Sequence, residues 1–256
     1  MSNKFIEIDI DSDILRCLTF LDILQDEHGF VEREKVKNKD HLLYNNFGYF
    51  CNTLKLIKLD QLHIGINDTV FQESKHSKSL VNFMKKYAYF PNINAINHQQ
   101  YSDEAERLAY AYCSPYKIES KKYKAPMKSK YSSSAKKYTP VNDAFGMAYA
   151  TIEGRCFLTA NGKDLIFDEK NINPNHDRSR GVVAINILNG YYKTQPDGSF
   201  IVPKPIHLHD FGAIIKNDIN NLVVSSSFRK MIRADQILTD EAINDPSLFE
   251  FNEQSF

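Results

Sequence analysis

The residues from Val141 to Asp168 constrain the fold of this chain more than any other segment. A stretch with apolar residues at helical spacing leads into Ala150-Thr-Ile-Glu-Gly-Arg-Cys-Phe and then into Leu158-Thr-Ala-Asn-Gly-Lys-Asp-Leu-Ile-Phe. Glu153 and Gly154 stand at the centre of the first run, and glycine takes positive φ angles without steric cost. The pattern therefore predicts a helix, a tight hairpin turn and a strand that runs into the next helix.

A helix followed by a two-stranded wing is the order of a winged helix, a module that normally offers a surface to nucleic acid. Residues 12–72 repeat this order, with a helix that begins at Ser12, a helix from Lys39 and Asp40, and a strand pair that turns near Asn67 and Asp68. The predicted fold class is mainly α with short β-hairpins, in a tandem winged-helix architecture.

Further helices are predicted over 78–89, 102–112, 180–192 and 225–238, and a short edge strand over 201–206, where Pro203 and Pro205 exclude a central strand. Pro126, Pro140 and several serines argue against regular structure between the two halves. We therefore expect an N-terminal domain of residues 1–114, a linker of residues 115–139 and a C-terminal domain of residues 140–256.

The composition is that of an ordinary soluble globular protein, with 256 residues, 42% hydrophobic and 25% charged. The sequence has no run of about 18 apolar residues, and acids interrupt the N-terminus where a signal peptide needs an apolar stretch. We therefore expect a cytoplasmic protein without a membrane partner. The four cysteines stand far apart with no Cys-x-x-Cys pair, which favours buried thiols over a zinc or disulfide framework.

Charge is segregated along the chain, although the formal net charge is zero. The segment from Pro115 to Tyr138 contains eight lysines and a single acid, Glu119. Four tyrosines and several serines lie between the lysines. The lysines of this tract are Lys117, Lys121, Lys122, Lys124, Lys128, Lys130, Lys136 and Lys137. Lysines attract phosphate and tyrosines stack on bases, so the tract predicts nucleic-acid binding, with a solvated linker as the alternative.

Arginines add candidates for contact with bases or phosphates, because their planar fork bonds bidentately where lysine cannot. Arg155 lies at the predicted wing tip, and Arg178 and Arg180 follow the wing. Arg229, Lys230 and Arg233 lie on one face of the predicted helix 225–238, which suits either a phosphate backbone or solvent.

No complete catalytic motif is found, so enzymatic activity stays open and no catalytic residue is assigned. An acid paired with Asp/Glu-x-Lys on adjacent strands is missing, as are a phosphate-binding loop and a dinucleotide fingerprint. His207 and His209, one residue apart before Asp210, are candidate ligands of a divalent metal, with a structural or helix-capping role as the alternative. No cofactor is expected, and Mg²⁺ is expected only through a nuclease domain or partner.

The segment 136–167 contains the runs Phe145-Gly-Met-Ala, Glu153-Gly-Arg and Leu158-Thr-Ala-Asn-Gly-Lys-Asp-Leu-Ile. It is similar to winged-helix segments in the DNA-recognition regions of type IIS restriction endonucleases and their nicking relatives, the AlwI-like and FokI-like enzymes. Those regions consist of successive winged-helix subdomains joined by basic loops. Those enzymes also carry a separate C-terminal cleavage domain. The resemblance therefore implies a recognition fragment or a subunit that works with a nuclease partner.

The predicted function is sequence-specific binding of double-stranded DNA, as the recognition module of a restriction or nicking system. Three alternatives stay open. The first is a winged-helix plasmid replication initiator or transcription regulator, and the second is a metal-dependent nicking enzyme that uses His207 and His209. The third is a protein-interaction module, because the acidic tail after Arg233 suits a basic partner or the lysine tract itself.

Overall fold

A computed structural model describes the chain over residues 6–37, 39–91, 98–112, 142–152, 156–160, 183–185, 205–207 and 231–239. These residues are rich in helix, and seven short strands form a mixed sheet. The expectation of a mainly helical protein with short strands is confirmed at this level. The winged-helix architecture is not confirmed, because the central strands run parallel to one another.

The strands are β1 (Ile6–Ile10), β2 (Leu62–Gly65), β3 (Ala88–Pro91), β4 (Cys156–Thr159), β5 (Val183–Ile185), β6 (Pro205–His207) and β7 (Met231–Arg233). The helices are α1 (Ser12–Leu24), α2 (His41–Asn45), α3 (Phe47–Lys58), α4 (Asp68–Ser74), α5 (Lys78–Tyr87), α6 (His98–Tyr112), α7 (Asn142–Ile152) and α8 (Ala234–Ile237). Within the part of the chain that the structure describes, none of these helices has both the length and the apolar character needed to cross a bilayer.

The sheet has the order β6-β5-β4-β1-β2-β3-β7, with β1 at its centre. β2 and β4 flank β1 in parallel, and β3 extends the parallel group beyond β2. β5, β6 and β7 add antiparallel strands at the two sides. β6 is an edge strand, as the prolines predicted, since proline cannot donate a hydrogen bond to a central ladder.

Helices cover both faces of the central strands, which makes this part of the molecule an α/β sandwich. Consecutive residues of β4 point to opposite faces, so Leu158 packs in the large core with α1, α3 and α5, whereas Phe157 packs in a second core with α6 and α7. Both side chains are fully buried. Parallel strands are stable when they are buried in this way on both faces.

Short polar side chains begin several of the helices. Asp11, Asp40 and Asn67 each accept a hydrogen bond from the backbone N–H three residues later, which caps α1, α2 and α4 respectively. The helix predicted from Lys39 is divided into α2 and α3 at Asn46, whose side-chain amide donates to the Leu42 carbonyl and ends the first piece.

The segment predicted as a wing has a different structure. α7 continues to Ile152, and Cys156–Thr159 forms the central strand β4, parallel to β1. Residues 153–155, including the predicted wing tip, lie outside the described residues. The apolar character of Phe157 and Leu158 explains the difference, because both side chains are buried only if this strand lies between two helical layers.

Three further predictions are corrected. The strand pair expected over 56–71 is the single strand β2 followed by α4, because Asn67 caps a helix where a turn was expected. The helix predicted over 180–192 contains β5, and the helix over 225–238 contains β7 and the short α8. Segments of three residues such as β5 and β7 are too short to show a periodicity, so their pairing with distant strands decides their conformation.

The sheet also takes strands from both predicted domains. β1, β2 and β3 come from residues 1–114, and the remaining four strands come from residues 140–256. The pairing of β1 with β4 and of β3 with β7 joins the two segments in one sheet.

Candidate active site

The site lies where the parallel strands end. β1, β2 and β4 have their carboxyl ends at the same edge of the sheet, where they are followed by Asp11, Asn67 and Ala160. From β1 the chain proceeds to β2 and β3 on one side and later returns to β4 on the other side. In open α/β sheets, ligands bind in the crevice that forms where the direction of winding reverses in this way.

Asp11 lies at the centre of this edge and is held by hydrogen bonds from α1 and from the residue that follows β4. Its Oδ1 accepts the backbone N–H of Ile14 at 2.8 Å, and its Oδ2 accepts the backbone N–H of Ala160 at 2.9 Å. The hydroxyl of Thr159 donates a further hydrogen bond to this carboxylate. With only 2% of its surface exposed, Asp11 has a fixed orientation.

Asp143 provides a second acidic group at the same edge. It is the second residue of α7, which packs on β4 and β1, and its side chain is half-buried. Burial and the negative charge of Asp143 raise the pKa of Asp11 from 3.8 to about 8, although the hydrogen bonds from Thr159 and Ile14 oppose the shift. The two carboxyl groups therefore interact unfavourably when both are ionised, and a cation at this edge would relieve the repulsion.

Asn67 brings a polar group with an unused hydrogen-bond donor to the site. Its Oδ1 accepts from the Val70 backbone and from the Thr69 hydroxyl, whereas its Nδ2 is buried and has no hydrogen-bond partner. A Cβ placed on Gly146 would lie 3.2 Å from this Nδ2. The amide therefore faces α7 one turn after Asp143, where a ligand oxygen at the sheet edge would satisfy it.

Asp9 lies two residues before Asp11 and is also buried. A Cβ on Gly65 would overlap with the Asp9 carboxylate, so glycine at this position of β2 makes room for the acid. Among the residues that the structure describes, no three His, Cys, Asp or Glu side chains are grouped closely enough to hold a metal ion. The described residues thus offer a cation two interacting carboxyl groups at this edge, those of Asp11 and Asp143.

Of the residues predicted from the sequence as binding or metal sites, the structure describes Arg233 and the backbone of His207. Arg233 lies on β7, where it pairs with Asp235, lies over the ring of Tyr89 and donates to the Lys86 carbonyl. His207 ends β6, at the other side of the sheet from Arg233. Its backbone is in register with Val183, which pairs with Thr159, so it lies at the same end of the sheet as Asp11 but two strands beyond β4. The other predicted residues lie outside the described residues: Lys117, Lys121, Lys122, Lys124, Lys128, Lys130, Lys136, Lys137, Arg155, Arg178, Arg180, His209, Arg229 and Lys230.

Sequence reasoning missed Asp11, Asp143 and Asn67. The signal for Asp11 is an alternation of isoleucine with acids over residues 6–11, directly before a helix. That pattern predicts a strand that ends in a carboxylate. Asp143 carries no comparable signal, because only the packing of α7 on β1 and β4 brings it to the same edge.

Comparison with protein-family models, with curated proteins and with solved structures finds no match for this chain. The resemblance to type IIS recognition regions thus stays a prediction.

Proposed function

We propose that this protein cleaves phosphodiester bonds of nucleic acid with the help of a divalent cation that Asp11 and Asp143 hold. The observation that carries the proposal is the electrostatic interaction of these two carboxyl groups at the edge where the sheet reverses its winding. Mg²⁺ is usually bound by one or two carboxylates together with substrate phosphates and water, so two acids are a sufficient set of protein ligands.

Each residue of the site has a role in this reaction. The carboxylate of Asp11, fixed by the N–H groups of Ile14 and Ala160, would be one ligand of the cation. The carboxylate of Asp143 on α7 would be the other. Asn67 caps α4 and so fixes the chain that follows β2 at the same edge. A bound cation supplies charge neutralisation of the phosphate and lowers the pKa of its bound water.

The lysine tract supports nucleic acid as the substrate class. Eight lysines with interspersed tyrosines precede α7, and Lys137 stands six residues before Asp143. An extended chain of six residues spans at most about 22 Å, so this end of the tract is tethered near the acid pair. DNA binding thus remains part of the proposal and depends on the tract and not on a winged helix. The arginine candidates of the sequence are not needed for it.

The test is a cleavage assay with the full chain and fluorescent single-stranded DNA, duplex DNA and RNA, in Mg²⁺, in Mn²⁺ and in EDTA. We expect cleavage that requires the cation. Asp11→Asn and Asp143→Asn should each reduce it by at least about 100-fold, because losing a direct ligand costs more than the loss of a supporting group. Asp235→Asn, an exposed acid on the other side of the sheet, is the matched control and should retain full activity.

The nicking alternative is tested in the same assay. If cleavage survives Asp11→Asn and is lost in His207→Ala or His209→Ala, the site lies with the histidines and the present assignment is wrong. Cleavage that continues in EDTA would equally contradict a role for the cation.

A further inference from the structure

A cavity of about 850 Å³ opens next to the residue that follows β4. It lies between α1, the turn that leads into α2 and the start of α5, and Ala160 forms part of its wall. Because the N–H of Ala160 donates to Asp11, the cavity and the candidate active site share one backbone segment. Its size is within the range of pockets that hold small organic ligands.

The cavity has an apolar and aromatic wall, formed by Phe20, Ile23, Leu42 and Leu80. Ile23 is 61% exposed, although most apolar residues of α1 are buried in the core. The ammonium group of Lys39 lies 5.7 Å from the centre of the Phe20 ring, so a cation stands next to the aromatic face. An aromatic face beside a cation suits a planar base that carries a phosphate.

Thr19 provides an unused polar group in the same cavity. Its side chain is only 3% exposed, and its hydroxyl has no hydrogen-bond partner. A buried hydroxyl without a partner costs stability, so native proteins usually satisfy such groups. Since Thr19 lines the cavity, a ligand with a polar edge would satisfy it.

The start of α5 adds backbone donors. Ser77 precedes this ten-residue helix but makes no capping hydrogen bond, and its hydroxyl lies 3.1 Å from that of Ser79. Uncapped N–H groups at a helix start attract phosphate oxygens. The acids of the cavity do not oppose an anion strongly, because Arg16 pairs with both Asp13 and Asp40 at 3.2 and 3.4 Å.

We propose that this cavity binds one nucleotide unit, with its base against Phe20 and Thr19 and its phosphate at Lys39 and the start of α5. Because Ala160 lines the cavity and its N–H binds Asp11, the unit is the nucleotide that neighbours the cleaved bond. This identification of the substrate subsite rests on the proposed function, whereas the recognition of a nucleotide rests on the cavity alone.

Two substitutions probe the cavity. Thr19→Val replaces a hydroxyl without a partner by a methyl group of the same shape, so the protein should fold as stably as before. It should weaken nucleotide binding about 2- to 10-fold, the value of one hydrogen bond. Phe20→Leu should weaken binding about 5- to 100-fold, the value of one stacked base. The controls are Thr53→Val, a buried threonine of α3, and Phe30→Leu, an exposed phenylalanine, neither of which lines the cavity.

Binding is measured by fluorescence anisotropy with a labelled octanucleotide, and with the four nucleoside monophosphates as competitors, in EDTA on the Asp143→Asn background. Weaker octanucleotide binding in both variants, with unchanged binding in the controls, supports a strand as the source of the nucleotide. A loss confined to the monophosphates supports a free nucleotide. Unchanged affinity for every probe in both variants overturns the proposal.

The result is separable from that of the cleavage assay. No strand is cleaved in EDTA on the Asp143→Asn background, and Asp143 does not line the cavity, so the binding data report on the cavity alone. If the cavity binds no nucleotide while the wild-type chain still cleaves with Mg²⁺, only the subsite is wrong. If binding is lost as expected but no cleavage is found, only the proposed function is wrong.

Discussion

The carboxylate of Asp11 accepts the backbone N–H of Ala160 at 2.9 Å, although the two residues are 149 positions apart in the chain. The N–H of Asp11 in turn donates to the Leu158 carbonyl at 3.0 Å. These bonds join the start of α1 to the end of β4, so the site exists only when β1 and β4 are paired. Folding of the sheet and assembly of the site are therefore one event.

The stability of the protein should depend on pH through Asp11. Its pKa is raised from 3.8 to about 8, so the folded state holds a proton that the unfolded state has lost between these values. The favourable contribution of the protonated group is fully present below about pH 4 and is lost as the pH rises through about 8. Without divalent cations, we expect the melting temperature to fall over this interval, as measured by circular dichroism. The fall should be smaller in Asp11→Asn.

A cation at the acid pair should reverse this trend. Mg²⁺ or Mn²⁺ binds the ionised carboxylates, so it should raise the melting temperature more at pH 8 than at pH 6. Asp235→Asn serves as the control and should respond to the cation as the wild type does. An equal response to Mg²⁺ in the wild type and in Asp11→Asn would show that the cation binds elsewhere.

Gly146 should tolerate no side chain. A Cβ at this position would lie 2.8 Å from Cζ of Phe157, whose ring is fully buried between α7 and the sheet. We expect Gly146→Ala to destabilise the protein by about 1–3 kcal/mol, the usual cost of overpacking, in urea unfolding. Gly48→Ala is the matched control, because nothing lies within 4 Å of a Cβ there. It should be neutral or stabilise by up to about 1 kcal/mol.

The charge of Asp22 on α1 should stabilise the packing of this helix against α3 and α5. Its carboxylate lies 2.7 Å from Lys58 of α3 and 3.3 Å from Lys86 of α5, and it accepts the Tyr87 hydroxyl. Burial acts to raise the pKa of Asp22, but the hydrogen bonds and charges of the two lysines hold it below its usual value. We expect Asp22→Asn to cost about 1–2 kcal/mol, since hydrogen bonds to charged groups are the stronger ones.

The sign of the pH effect provides a second measurement for Asp22. Because its pKa is lowered in the folded state, its contribution is present above the ordinary value of 3.8 and is lost as the pH falls through the folded value. The free energy of unfolding of the wild type and of Asp22→Asn should therefore converge on acidification. A constant difference down to pH 2.5 would rule out an electrostatic origin.

Several helices were predictable because each carries its own local signals. α1, α5 and α6 combine an apolar face with a short polar residue or acids near their start, and the structure places them within a few residues of the predicted bounds. The sheet was not predictable in this way. β4 has four residues and β5 three, and such a short apolar run reads equally as a wing, a helix end or a buried strand.

The candidate site was missed for the same reason. Asp11, Asn67 and Asp143 are far apart in the sequence and match no spaced motif, so only the parallel pairing of β1 with β2 and β4 brings them to one edge. The histidine pair, in contrast, forms a local pattern, and its spacing alone predicts candidate metal ligands. Of that pair, the structure places the backbone of His207 on the edge strand β6, away from the centre of the sheet.

The lysine tract should determine the salt dependence of nucleic-acid binding. Each lysine that neutralises a phosphate releases a counterion, so the logarithm of the affinity falls linearly with the logarithm of the salt concentration. Replacing Lys121, Lys122 and Lys124 by alanine should reduce this slope by up to about 2.7 on duplex DNA, at about 0.9 per contact.

The measurement is fluorescence anisotropy over a salt series in EDTA, with Asp11→Asn as the background so that no strand is cleaved. Lys35, Lys37 and Lys55 are exposed lysines outside the tract, and their triple alanine variant is the control for net charge. If both triple variants keep the wild-type slope, the tract does not contact the phosphates; if both reduce it equally, the effect is one of overall charge and the assigned interface is wrong.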